Sequence, residues 1–204
     1  MKKFKFNNLG FTLVELLVAM SVIAIISSVV IFNARPGERN LALQRSAQNV
    51  LQAINQAANN ALGGKRHDAT NQSPTISQGG YGVHFEDGAS VLTIFADCNQ
   101  NQTLDISGTA PSCIEAPTEG PYPEEFEALP LENFIEINRI EFTGTGSPIT
   151  PLDVVFIPPD GDILMNPAPP PGSDEAMIEI INTVEGDTIQ IYINKAGATR
   201  VVIP

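Results

Sequence analysis

The sequence has no tryptophan and only two cysteines and two histidines among its 204 residues. So few Cys and His side chains argue against a Cys/His zinc cluster. Charged residues make up 17% of the chain and hydrophobic residues 43%, which excludes a highly charged disordered protein. No Ser/His/Asp order, G-x-S-x-G, phosphate-binding loop or H-E-x-x-H motif occurs, and we predict that the chain is not an enzyme.

Basic residues are scarce over most of the chain. Residues 81–204 contain three bases and 20 acids, a net charge of −17. Such a surface repels phosphate groups, so we expect no direct binding of nucleic acid by this part. The first ten residues have the opposite character, with three lysines and no acid.

Residues 11–32 form one long apolar run whose only charge is Glu15. As a helix this run would rise about 33 Å, enough to cross a hydrocarbon core of about 30 Å. The preceding lysines favour a cytoplasmic N-terminus and an external C-terminal part. A conventional cleaved signal peptide is the alternative, but its apolar core would be shorter. We predict a transmembrane helix over residues 11–32.

Glu15 is unusual because it lies within the apolar run, where inserting an ionised carboxylate into a membrane costs about 2.5–3.5 kcal/mol. One interpretation is that its side chain reaches the headgroups, since it lies near one end of the run. The other is that it pairs with a cation. Cleavage between Gly10 and Phe11 would create an α-amino group, and two such charges at 4 Å attract by about 4 kcal/mol at an effective dielectric constant of 20.

The string GFTLVELLV, residues 10–18, resembles the class III signal of type IV prepilins and pseudopilins. The resemblance implies cleavage after Gly10 by a prepilin peptidase, N-methylation of Phe11, and pairing of Glu15 with the new amine of a neighbouring subunit. It also implies a single-pass protein of the cytoplasmic membrane that joins other pilin or pseudopilin subunits, through an assembly platform protein, in a filament in the periplasm or at the cell surface.

The remaining sequence predicts an α+β fold, with one long N-terminal helix packed on antiparallel sheets. We divide the chain into a leader (1–10), a transmembrane helix (11–32), an amphipathic continuation (33–62) and a β-rich head (63–204). A bend is expected at residues 35–37, Arg-Pro-Gly. The apolar positions of the amphipathic stripe are Leu43, Ala47, Val50, Leu51, Ile54, Ala57, Ala58, Ala61 and Leu62.

Residues 63–80 are polar and turn-rich and predict a long loop. Alternating and apolar runs after it predict strands. These are Tyr81–Phe85, Val91–Ala96, Leu129–Asn133, Ile135–Phe142, Asp153–Ile157, Ile163–Met165, Met177–Asn182, Thr188–Asn194 and Thr199–Ile203.

The order of these elements resembles, more loosely, the H-type minor pseudopilins of type II secretion systems. The resemblance rests on Tyr81–Phe85, on the strand that ends at residues 95–97, on the polar loop 99–105 and on the hairpin at residues 193–197. The Pro-rich loop 166–173 and the acidic stretch 115–132 have no counterpart in it. Secretion, DNA uptake and a surface pilus all remain open as the task of the parent machine.

Residues 97–105, DCNQNQTLD, place oxygen-bearing side chains at alternate positions, as the first nine residues of a calcium loop do. Candidate ligands are Asp97, Asn99, Asn101 and Asp105. Gln102 stands where the turn glycine belongs and Gly108 where the bidentate Glu belongs, so an acid such as Glu115 would have to complete the shell. The alternative is a polar turn whose side chains bond their own backbone.

Cys98 and Cys113 flank this loop, and outside the cytoplasm they would form a disulfide; two free thiols are the alternative. His67 and His84 have no partner visible in the sequence, and the pair Glu124-Glu125 is expected on a solvated face. Two further functions stay open: a calcium-dependent adhesin head on a pilin stalk, and a membrane-anchored enzyme whose N-terminus only mimics a prepilin.

Overall fold

The computed structural model describes residues 12–67, 75–77, 79–98, 100–105 and 124–203. These residues form one long helix and eleven strands. The elements are α1 (Leu13–Leu62), β1 (Arg66–His67), β2 (Thr75–Ile76), β3 (Tyr81–Phe85), β4 (Val91–Ala96), β5 (Glu125–Pro130), β6 (Ile135–Phe142), β7 (Leu152–Ile157), β8 (Asp162–Asn166), β9 (Glu175–Asn182), β10 (Thr188–Asn194) and β11 (Thr199–Val202).

The chain divides into two compact units between Asn40 and Leu41, within α1. The first unit consists of the N-terminal part of the helix, whose side chains over residues 12–28 are exposed. No helix in the described part of the chain is long and apolar enough to span a membrane. Phe11 and the side chains of residues 29–32, which belong to the predicted span, lie outside that part. The helical assignment continues through Pro36, so the proline does not end the helix.

The second unit contains two larger antiparallel sheets. One has five strands in the order β5-β4-β3-β7-β8, and the other has four in the order β11-β10-β9-β6. The strands β1 and β2 form a separate two-residue pair. All these pairings are antiparallel, which confirms the predicted α+β class.

The C-terminal half of α1 packs its apolar face into the core of the second unit. Apolar residues at helical spacing are at most 3% exposed there, namely Leu43, Ala47, Val50, Ala53, Ile54, Ala57 and Ala61. The predicted stripe is therefore largely confirmed, although Leu62 is 58% exposed because the helix ends there. Ser46 was not part of the predicted apolar stripe, but it is fully buried. Its hydroxyl accepts a hydrogen bond from the backbone N–H of Glu132 at 3.0 Å.

The strand prediction is confirmed for the alternating segment β10. It is wrong for the short strands β1 and β2, which were expected to be loop, and for the bounds of β5. In β10 the residues Ile189, Ile191 and Ile193 are buried, and the residues between them are half-buried, as the alternation predicts. The predicted loop over 63–80 contains β1 and β2. The predicted strand Leu129–Asn133 is wrong in position, because β5 begins at Glu125 and ends at Pro130, where its pairing with Val91 ends.

Candidate functional site

The first turn of α1 places Glu15 against Thr12. The carboxylate oxygen Oε2 of Glu15 accepts hydrogen bonds from the backbone N–H and the Oγ1 hydroxyl of Thr12, both at 3.0 Å. Thr12 Oγ1 in turn accepts the backbone N–H of Glu15 at 3.3 Å. This reciprocal pattern is a capping box, in which two side chains satisfy backbone donors that the helix start leaves unpaired. It holds the acid at the N-terminal end of the helix.

The capping box gives Glu15 a structural role in addition to the assembly role predicted for it. Gly10 and Phe11, the residues predicted to flank the cleavage site, lie outside the described residues. The carboxylate of Glu15 is exposed at the start of the helix. A cation on a neighbouring chain can therefore approach this carboxylate. The positive end of the helix dipole also favours an acid at this position.

A second candidate site lies in the head, where the chain leaves β4 at Asp97. The backbone of Asp97 is held on both sides: its N–H donates to the carbonyl of Gly80 at 3.0 Å, and its carbonyl accepts the N–H of Gly79 at 2.9 Å. The hydroxyl of Ser77 donates to the same carbonyl. A Cβ at residue 79 would lie 2.6 Å from Oδ2 of Asp97, so only glycine permits this approach. The start of the loop is thus rigidly placed.

The carboxyl group of Asp97 is fully buried. Its Oδ2 accepts the backbone N–H of Gln102 at 3.0 Å, and backbone amides of Gln100 and Asn101 also bond this carboxyl. Its Oδ1 has no hydrogen-bond partner within the described residues. Burial raises the pKa of Asp97, and the charge of Asp105 adds to the rise, while the loop amides oppose it.

Glu124 lies beside this loop, and here the expectation of a solvated face is wrong. Glu124 is only 1% exposed. Its Oε1 accepts the backbone N–H of Cys98 at 3.0 Å and its Oε2 that of Asp105 at 3.2 Å, so one carboxylate joins the two ends of the loop. Burial raises the pKa of Glu124 to about 7, with a smaller contribution from the nearby carboxylates. The side chain of Glu125 lies outside the described residues.

Two of the four predicted calcium ligands, Asn101 and Asp105, are in contact in the structure. Asn101 donates from Nδ2 to Oδ2 of Asp105 at 2.9 Å, and its Oδ1 accepts the backbone N–H of Thr103 at 2.9 Å. Gln102 has φ of 63°, so the position expected to need glycine takes the left-handed conformation with a side chain present. Asn99, Gly108 and Glu115 lie outside the described residues. In the described part of the chain no three Asp, Glu, Cys or His side chains form a metal-binding group.

Cys98 is disulfide-bonded. The predicted partner, Cys113, lies outside the described residues, so this pairing stays a prediction. A covalent restraint at residue 98 fixes the chain next to the buried carboxyl groups of Asp97 and Glu124.

His84 has a partner that the sequence did not reveal. Its Nδ1 lies 2.7 Å from Oδ1 of Asp153, the residue directly opposite it on β7. Asp153 is 2% exposed. An acid in the apolar run Leu152–Ile157 was the available signal, because such an acid needs a polar partner on the adjacent strand. The side chain of His67 lies outside the described residues.

Comparison with known proteins adds three findings. No curated protein sequence matches the chain. A solved structure, the minor pseudopilin EpsH from the type 2 secretion system of Vibrio cholerae, aligns with 11% sequence identity and a TM-score of 0.37, over 79% of this chain and 97% of that one. The family described as the prokaryotic N-terminal methylation motif matches residues 5–31. The chain therefore carries a prokaryotic N-terminal methylation motif, and this motif contains Gly10, Phe11 and Glu15.

Proposed function

We propose that this protein is a minor pilin or pseudopilin, a structural subunit of a type II secretion filament or a type IV pilus-like filament. The observation that carries the proposal is the N-terminal methylation motif over residues 5–31, which contains Gly10, Phe11 and Glu15. A prepilin peptidase cleaves after Gly10, and Phe11 becomes the methylated N-terminus.

Before assembly the apolar helix over residues 11–32 anchors the protein in the cytoplasmic membrane, with the acidic head outside. During assembly the platform protein passes the subunit into the filament, and the apolar helices pack together. A charge inside such a bundle is costly unless it is paired. The carboxylate of Glu15 on one subunit therefore accepts the N-terminal amine of the next, and this pair sets the stagger between neighbouring helices.

The geometry at Thr12 explains why the acid is available to a neighbour. The capping box keeps the Glu15 carboxylate at the helix start, against Thr12. It also means that replacing Glu15 with alanine removes two functions at once, the cap and the charge. A test of assembly has to separate them.

Glutamine at position 15 separates the two roles, because Gln also serves at this position of a capping box but carries no charge. We expect the E15Q variant to be cleaved normally and to be largely lost from sheared filament fractions. The T12A variant weakens the cap, keeps the charge and should enter filaments at close to the wild-type level. Wild-type incorporation of E15Q, or equal losses in both variants, would contradict the proposed charge pair.

A further inference from the structure

The loop between Asp97 and Asp105 has oxygen-bearing side chains at positions that bind the ion in a calcium loop. In the calcium loop of the EF-hand, oxygens at positions 1, 3, 5 and 9 face the ion, and a glycine at position 6 makes the sharp turn. Counting Asp97 as position 1, Gln102 at position 6 is left-handed with φ of 63°, and Gln100 at position 4 has the same φ. Asn101 and Asp105 occupy positions 5 and 9.

The two oxygens of Asp97 are used differently. Oδ2 accepts the backbone N–H of Gln102, which lies on the far side of the turn, so the carboxyl group is enclosed by the loop. Oδ1 of the same buried carboxyl has no partner within the described residues. A buried carboxylate oxygen without a partner carries a desolvation cost of about 1–3 kcal/mol or more. A cation bound at Oδ1 removes that cost.

The surroundings of Asp97 are acidic. Asp105 and Glu124 both lie close enough for their charges to act on Asp97 or on one another. Both carboxylate oxygens of Glu124 accept backbone N–H groups, those of Cys98 and Asp105. Glu124 therefore adds negative charge and holds the two ends of the loop together. Asn101 and Asp105 are side by side through their 2.9 Å hydrogen bond.

We propose that this loop binds a calcium ion, with Oδ1 of Asp97 and side-chain oxygens of Asn101 and Asp105 as protein ligands and water in the remaining positions. A shell that mixes carboxylates with an Asn carbonyl oxygen is typical of Ca²⁺, which accepts irregular geometry, whereas Mg²⁺ demands a near-ideal octahedron. The low ligand charge predicts weak binding, with a Kd on the order of 10⁻⁴ to 10⁻³ M, the range of extracellular calcium modules. This inference does not depend on the role in a filament.

Calcium titration of the full chain in detergent tests the proposal directly. Isothermal titration with calcium chloride after chelator treatment should give a saturable heat with a stoichiometry of one, and magnesium chloride should give much weaker binding. The D97N and D105N variants should each lose at least tenfold in calcium affinity. Asp160 is exposed in the turn between β7 and β8, so D160N removes the same charge elsewhere and should bind as the wild type does.

Three results would overturn the proposal: no saturable calcium heat in the wild type at millimolar calcium, equal binding of magnesium, or unchanged affinity in both D97N and D105N. Asp105 is only half-buried, so D105N remains informative if D97N fails to fold. Far-ultraviolet circular dichroism of each variant establishes that the head is folded before titration.

Discussion

The buried carboxylate of Glu124 accepts the backbone N–H of Asp105 at 3.2 Å, and through its other oxygen it accepts that of Cys98 at 3.0 Å. A single side chain that precedes β5 therefore fixes both ends of the loop that follows β4. The loop is a constrained part of the head, in spite of its polar composition, and its conformation depends on a residue distant from it in sequence.

The E124A variant should loosen this loop. Alanine leaves the two backbone donors of Cys98 and Asp105 without their acceptor, and a buried donor left unpaired costs about 1–3 kcal/mol. Hydrogen exchange followed by mass spectrometry should show faster exchange over residues 97–105 and little change in β9 and β10. Glu86 is exposed, so E86A removes a carboxylate without affecting this loop. Unchanged exchange over residues 97–105 in E124A would contradict the assigned role.

Ser46 provides a separate test of how α1 packs in the second unit. Its buried hydroxyl accepts the backbone N–H of Glu132, just after β5. The S46A variant leaves that N–H unpaired and should lower the free energy of unfolding by about 1–3 kcal/mol in chemical denaturation. Gln44 is exposed on the same helix, and Q44A should change it by no more than about 0.5 kcal/mol. Equal effects of the two variants would show that the Ser46 contact has no energetic importance.

The pair Glu175–Arg200 predicts a pH dependence. Arg200 donates from Nε to Oε1 of Glu175 at 3.1 Å and from an Nη to Oε2 at 2.9 Å, and its guanidinium lies 3.7 Å from the centre of the Tyr192 ring. These hydrogen bonds lower the pKa of Glu175. The unfolded chain has a Glu pKa of about 4.3, so the stabilisation is present above that pH and is lost as the pH falls through the lower folded value.

The R200Q variant should therefore have a lower melting temperature than the wild type at pH 7, and the difference should shrink as the pH falls below about 4. R200K keeps the charge but loses the bidentate hydrogen bonds, so its melting temperature should lie between those of R200Q and the wild type. Arg45 is exposed on α1, and R45Q serves as the control for loss of one positive charge. A difference between R200Q and the wild type that stays constant with pH would contradict the linkage to Glu175.

Periodic patterns in the sequence correctly predicted the buried faces of α1 and β10. Steps of three and four residues located the buried face of α1, and alternation in β10 identified its buried isoleucines. Glu124 was misjudged because a Pro-rich acidic run has no periodicity, and its burial depends on backbone donors more than 18 residues away. The pair His84–Asp153 was also missed, because the strand register that places these residues opposite each other cannot be read from either segment alone.

The central claim is that Gly10-Phe11 is a processing site. Intact-mass analysis of the native protein from membrane fractions tests it most directly, with the G10V variant measured in parallel. We predict that the wild-type chain lacks residues 1–10 and carries one added methyl group on Phe11, and that G10V stays full length in the membrane. A native chain that begins at Met1, or normal processing of G10V, would contradict the account.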